Sequence, residues 1–516
     1  MPRPWLFQGL ITGINIAIGY GLGVLIGKLF TKFIKYRLDD EKKRIIWIVL
    51  GVAWALLTAI YFWKAQTWQA DVRELVSMPE IERTYFLRIS LLAFLTGWVL
   101  INAGRGTRKL TRKISNVAEK KLPHAASVVV GVVGTILIFV LVFNIVFAKF
   151  FVDISNNMFG NINNRTDFAV TQPESELRSG SPASLVEWDD LGRQGRNFVG
   201  RGPQEADLKK FSDDVKDPIR VYVGLKNEDT PEKRAELAVE ELERTDAFSR
   251  KILVVAVPTG SGWIEPQGVD SIEYIYGGNS AIVSTQYSYL PSWIAFLTDQ
   301  KAAQDSGRTL FDAVYEKWST LPEETRPKLV VYGLSLGAFG AQAAFNDVDE
   351  IVEKTDGALF VGSPSDTELW GQITRDRDKG SKQILPVYRG GEIVRFASNN
   401  DDINEDQSNW NSPRVLYLQH ATDGVVWFDF DLILNRPDWL REEHGREVST
   451  RMGWHPFVTF WQVTVDQMLS TNVPSGYGHN YGNTMVAAWA SIAAPEGWTA
   501  EKTIEVQKVI DGYGIE

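Results

Sequence analysis

The chain has no cysteine in 516 residues, which excludes disulfides, thiolate metal sites and thiol catalysis together. Histidine is scarce, at five residues, so any imidazole chemistry must use one of a few positions. No zinc-ligand spacing is present. Asp402, Asn404 and Asp406 alternate as calcium ligands do, but Gln407 stands at the glycine position of such a loop and Pro413 at its bidentate acid. A solvated acidic loop is the reading, and neither a metal nor a cofactor is expected. The formal net charge is −10 although the first part is rich in Lys and Arg. The remainder is therefore more acidic still, which argues against a nucleic-acid partner.

Long apolar runs are present, and they crowd the first part of the chain. Four are long enough to cross a bilayer, from about Leu6 to Phe30, Ile45 to Trp63, Tyr85 to Ala103 and Ala125 to Phe151. None carries the paired acids that a proton-coupled transporter needs. The connector after the first run holds Lys32, Lys35, Arg37, Lys42, Lys43 and Arg44. The connector after the third holds Arg105, Arg108, Lys109, Arg112, Lys113, Lys120 and Lys121, while the middle one is mixed. Basic connectors stay in the cytoplasm, so everything after Phe151 is expected outside a plasma membrane, with the bilayer itself as a partner. Gly19, Gly23 and Gly27 repeat every four residues, a pattern that lets another helix approach closely.

Residues 152–211 lose periodicity and gain Asn, Gly and Ser, and they read as a linker. Regular alternation of strands and helices follows. Strands are expected at Ile219–Val223, Lys251–Val257, Ser280–Tyr287, Lys328–Tyr332, Gly357–Gly362 and Arg414–Leu418. A helix is expected from Thr230-Pro231 to about Arg244, and helical spacing from Trp293 to Leu321 is interrupted near Asp305-Ser306-Gly307. The fold class is α/β, a mostly parallel sheet over residues 212–516, preceded by an all-α transmembrane helical domain over 1–151.

Gly333-Leu334-Ser335-Leu336-Gly337 lies between the apolar strand 328–332 and an alanine-rich helix. Strand, G-x-S-x-G, helix is the context of a nucleophile elbow, whose flanking glycines allow the tight approach of backbone. A serine hydroxyl needs a base, usually a histidine held by a carboxylate. With such an elbow the acid follows the serine in the chain and the histidine comes last. His479, in the glycine-flanked loop Gly476–Gly482, is the favoured base, with His455 next. Asp423, after a late strand, is the favoured acid, with Asp366 the alternative. Oxyanion donors are expected from the Leu336 N–H and from the loop Pro258–Trp263, where Thr259 and Gly260 are the leading candidates. The apolar stretch of Trp427, Phe428, Phe430, Leu432, Ile433, Leu434 and Trp439 reads either as an acyl-chain pocket or lid, or as core.

Several stretches carry a resemblance. They are Pro4–Gly9 with Ile18–Gly23, Pro258–Trp263, Gln286–Ser292, Ser335–Gly340 and Gly478–Gly482. Together they resemble the actinobacterial membrane-anchored α/β-hydrolase family, in which several N-terminal spans precede a serine α/β-hydrolase domain. The resemblance implies a membrane protein of a lipid-rich envelope with Ser335, an aspartate and His479 as triad, and it implies no particular substrate.

The sequence thus supports a membrane-anchored serine hydrolase or acyltransferase acting on an ester or thioester of a membrane lipid or acylated envelope molecule. The alternative is a non-catalytic envelope protein that binds lipid or a partner on the same fold. Because the chain lacks native cysteine, single introduced cysteines report its topology directly. A cysteine in the 32–44 connector should resist an impermeant thiol reagent on intact cells, whereas one beyond residue 157 should react. The reverse pattern would overturn the orientation.

Overall fold

The computed structural model describes residues 1–33, 39–82, 84–144, 157–405 and 407–512. The chain forms two compact units. One comprises Met1–Asp153 with Leu432–Asn435 and Val448–Leu469, and the other comprises the rest.

The first unit is built on four helices long and apolar enough to cross a membrane: α1 (Trp5–Phe33), α2 (Asp40–Leu75), α3 (Tyr85–Ala118) and α4 (His124–Val142). The expected fourth run extends into residues 145–151, which lie outside the described residues. α1 and α4 are apolar nearly all round, as helices facing hydrocarbon are, whereas α2 is charged at its ends and α3 in its second half, from Arg105 to Lys113. On α2, Trp47, Trp54 and Trp63 are each at least 70% exposed. Small residues set the contacts that do form. A Cβ on Gly13 would stand 2.5 Å from Thr96 of α3, so glycine is what lets α1 and α3 touch. Thr111 and Thr135 join α3 to α4 through a 3.0 Å hydroxyl pair. A Cβ on Gly19, Gly23 or Gly27 would meet nothing within 4 Å among the described residues, so this row does not pack against them.

The helix Val458–Leu469 also belongs to this unit and packs on α1. Arg3 makes a two-pronged pair with its Asp466: Nε to Oδ1 and Nη2 to Oδ2 are both 2.7 Å. The Tyr85 hydroxyl donates to the Arg3 carbonyl at 2.7 Å.

The second unit holds a seven-stranded sheet, parallel throughout, in the order β1-β3-β2-β4-β5-β7-β6. The strands are β1 (Ile219–Val223), β2 (Ile252–Val257), β3 (Ser280–Thr285), β4 (Lys328–Leu334), β5 (Gly357–Val361), β6 (Val394–Ala397) and β7 (Arg414–Leu418). The strands β1, β2, β3 and β5 are buried at every residue, as expected where helices cover both faces. β6 is short and carries Arg395 at its centre, so no apolar run marks it in the sequence. The helix Gln300–Ser319 runs through Gly307 without the expected break. That glycine serves close packing instead, since a Cβ there would stand 2.2 Å from the Gly340 carbonyl oxygen.

Most of the stretch read as linker is folded against this sheet. Ser179 N–H donates to the Arg220 carbonyl of β1 at 3.0 Å. Arg196, 2% exposed, donates to the carbonyls of Asn163 and Arg165. The charged and polar composition that suggests a linker is therefore spent on buried hydrogen bonds. Chain direction turns at β2 and β4: β2 leads on to β3 on one side, and β4 leads to β5 on the other. The crevice at the carboxyl ends of β2 and β4 is the topological switch point, where open α/β sheets gather their ligands.

Replacing Asp466 by Ala would leave the Arg3 guanidinium buried and unpaired. The expected loss is about 3–5 kcal/mol, read as a lower thermal midpoint in detergent. Arg3→Ala with Asp466→Ala should recover part of it. An unchanged midpoint in the single variant would show that the pair does not hold this helix.

Candidate active site

Ser335 stands at the switch point, between β4 and the helix Leu336–Gln342. Its dihedrals are φ 58° and ψ −126°, a region that non-glycine residues occupy only when their surroundings force it. The forcing contacts are identifiable. Ser335 N–H donates to the Val361 carbonyl of β5 at 2.8 Å, and the Phe339 N–H closes the first helical bond to the Ser335 carbonyl at 3.1 Å. A Cβ on Gly337 would lie 2.3 Å from the Val257 carbonyl oxygen at the end of β2. The elbow is thus clamped between the ends of β2 and β5.

Asp423 follows β7 and caps the short helix Gly424–Trp427. Its Oδ1 accepts the Val425 N–H at 2.8 Å and its Oδ2 lies 2.6 Å from His479 Nδ1. The carboxylate is fully buried. Burial opposes its ionisation, but the facing His479 and the hydrogen bonds it accepts outweigh that cost and hold the carboxyl below its ordinary range. A carboxylate can only accept, so His479 Nδ1 is the protonated nitrogen and Nε2 presents its lone pair. Nε2 is buried and has no hydrogen-bond partner among the described residues.

The same strand end orients His479 and Ser335. Gly362 follows Val361, which receives the Ser335 N–H; a Cβ on Gly362 would stand 2.5 Å from His479 Cε1. The imidazole therefore lies directly against the segment that fixes the serine, although no Ser335 to His479 hydrogen bond is formed. Such bonds are commonly long before a substrate is bound. Ser470 holds both partners of the pair: its carbonyl accepts the His479 N–H at 2.7 Å and its hydroxyl accepts the Gly424 N–H at 3.1 Å.

The loop after β2 is tightly held. Tyr222 donates to the Gly262 carbonyl at 2.8 Å and Gln286 to the Ser261 carbonyl at 3.2 Å. Thr259 N–H closes a turn onto the Trp263 carbonyl at 2.9 Å, so it is committed to the loop itself. Gly260 N–H makes a longer contact, 3.3 Å, to the Ser292 hydroxyl. Leu336 opens its helix, where a first-turn N–H has no intrahelical acceptor.

The remaining candidates lie elsewhere. Asp366 accepts from Gln300 at 2.8 Å and is raised above its ordinary pKa chiefly by burial; the carboxylate that meets His479 is Asp423. His455 belongs to the helical unit, where its N–H donates to the Thr459 hydroxyl at 2.8 Å. In the acidic loop, Asp402 accepts from the Ser398 N–H and hydroxyl and from Arg446; Asp406 lies outside the described residues. The aromatic stretch after Asp423 divides. Trp427 and Trp439 are buried against one another and Trp427 also meets Trp370, whereas Phe430 is 67% exposed. The sequence reasoning missed Ser470 and Tyr481. A tyrosine two residues beyond the candidate base was the available signal for the second, and nothing in the sequence marks the first.

The chain matches the models of the Alpha/beta-hydrolase family over residues 219–506 and of the Alpha/beta-hydrolase family N-terminus over residues 1–203. No curated protein and no solved structure matches it significantly.

Gly362 has φ +55° and the His479 ring against its Cα, so Gly362→Ala meets both backbone strain and a clash. A loss of about 1–3 kcal/mol is expected, measured by urea unfolding of the detergent-solubilised protein. A midpoint equal to wild type would mean that the ring does not rest there.

Proposed function

This chain belongs to the alpha/beta-hydrolase family, and from that premise we propose that it is a membrane-anchored serine hydrolase or acyltransferase. Its substrate is an ester or thioester of a lipid or acylated envelope molecule, met at the outer face of the plasma membrane. The observation that carries the reading is the buried 2.6 Å pair of Asp423 and His479, with Nε2 left unpaired beside the strand end that fixes Ser335. His420 Nε2 is likewise without a partner among the described residues, but its Nδ1 meets the Gly478 carbonyl, whereas that of His479 meets a carboxylate.

In this reading Ser335 Oγ attacks the acyl carbonyl while His479 Nε2 takes its proton. Asp423 keeps His479 in the required tautomer and steadies the imidazolium that forms. The oxyanion is received by the Leu336 N–H and, from the loop after β2, by that of Gly260, which would exchange its long 3.3 Å contact to the Ser292 hydroxyl, whereas the Thr259 N–H closes the loop's own turn at 2.9 Å. His479 then returns the proton to the leaving alcohol or thiol. Water or another hydroxyl, deprotonated by His479, attacks the acyl-serine and regenerates the enzyme. Hydrolysis and acyl transfer share every step but the last acceptor.

The lipid part of the proposal rests on the four apolar helices, which would keep the domain beside a bilayer. The outer-face part rests on the basic connectors after the first and third runs.

Fluorophosphonate labelling in native membranes tests the chemistry. Wild type should label, Ser335→Ala should not, and His479→Ala should label on the order of 10²–10⁴ times more slowly. Absence of labelling in folded wild type would instead favour a binding protein on a hydrolase fold.

A further inference from the structure

We propose that Tyr481 is a positioning residue of this site, whose hydroxyl sets how strongly Asp423 holds the proton on His479. The inference rests on the triad reading above and assigns a fourth member to it.

The hydrogen-bond direction follows from counting protons. Tyr481 Oη lies 2.7 Å from Asp423 Oδ2, the same oxygen that His479 Nδ1 meets at 2.6 Å. The Tyr481 oxygen also accepts the backbone N–H of His420 at 3.1 Å. A phenol has one proton, and the backbone donor already occupies its acceptor side. The Tyr481 proton is therefore committed to Asp423. Asp423 Oδ2 receives two donors and Oδ1 receives the Val425 N–H, so its charge is shared among three donors.

The ring is fixed as firmly as the hydroxyl. Tyr481 is 2% exposed and stacks on His420, with centroids 4.1 Å apart and planes 7° from parallel. His420 Nδ1 is 2.8 Å from the Gly478 carbonyl, which ties that ring to the loop carrying His479. Tyr481 also meets the His479 ring edge-on at 5.8 Å. Gly362 touches both, with a Cβ there 3.1 Å from Tyr481 Cε2.

The charged and titratable groups facing Tyr481 and Asp423 are few. His479 is the partner already described. Burial lowers His420 to about 4, so it is neutral at physiological pH. Burial also raises Glu447, which faces Tyr481. Tyr481 itself is raised well above the usual phenol range, by burial first and then by the Asp423 charge, so it stays protonated and able to donate.

The consequence is directional. A hydrogen bond from Tyr481 draws negative charge away from the oxygen that faces His479. Removing the hydroxyl leaves that charge undivided, and the carboxylate then stabilises the protonated imidazole more strongly. Since the nucleophile is activated only when Nε2 is free of a proton, the pH at which activity appears should move upward. A tyrosine that merely filled space would change rate or stability without moving that midpoint.

The test is the pH dependence of fluorophosphonate labelling in full-length protein in membranes, for wild type, Tyr481→Phe, Asp423→Asn and the double variant. Phenylalanine keeps the ring, its stacking on His420 and its volume. In Tyr481→Phe the midpoint of the rise in labelling rate with pH should move upward by about one unit. In the Asp423→Asn background the same substitution should leave the midpoint unmoved, because no carboxylate charge remains to be shared. A Tyr481→Phe midpoint equal to wild type, or an equal shift with and without the Asp423 charge, would overturn the assignment while leaving the triad reading intact. Failure of wild type to label at Ser335 at any pH would remove the triad reading and this inference together. Tyr481→Leu supplies the structural comparison: slower labelling with a wild-type midpoint in both Tyr481→Leu and Tyr481→Phe would mark a packing role alone.

Discussion

A fully buried carboxylate is the constraint around which the end of the chain is arranged. Removing a charge from water costs several kcal/mol unless hydrogen bonds and an opposing charge replace the solvent. Asp423 recovers that cost from the Val425 N–H, His479 and Tyr481. Each of these partners is held in turn: His479 by the Ser470 carbonyl and the flat surface of Gly362, Tyr481 by the stacked ring and N–H of His420. Satisfying one carboxylate thus specifies the path of the chain from 418 to 425 and again from 470 to 482. It also sets the tautomer of the histidine, because the charge demands a donor on Nδ1.

The elbow imposes a second, steric constraint. Ser335 occupies its unfavourable dihedrals because β5 takes its N–H and β2 leaves no space beside Gly337. Those neighbours exist only because the sheet places β2 and β5 on either side of β4. Strain of this kind persists where the surrounding fold over-determines it, and a fully buried parallel sheet is such a surrounding.

The long interval between Asp423 and His479 has a physical account. Between Asp423 and His479 the chain contributes residues 432–435 and 448–469 to the unit of apolar helices, where Asp466 pairs with Arg3. It then returns at Ser470, which binds both the Asp423 and the His479 segments. About half of this interval is thus spent on the helical unit, and Trp427 and Trp439 are spent on core packing.

Local pattern by itself determined the four apolar helices, six of the seven strands and the strand–serine–helix context, because each depends on the order of nearby residues. It also narrowed the base to a few histidines and the acid to Asp423 or Asp366. The tertiary structure pairs His479 with Asp423 and places Asp366 against Gln300, and a pairing across 56 residues has no local signature. It revealed β6, whose central arginine conceals it. It turned the polar stretch 157–211 from linker into packed structure, because polar side chains read alike in solvent and in buried hydrogen bonds. Gly19, Gly23 and Gly27 show the converse: their spacing permits close helix contact, and only three-dimensional packing reveals that α1 uses Gly13 for that purpose. Sequence order records what each residue can do, and the distances that select among those capacities arise only when the sheet is assembled.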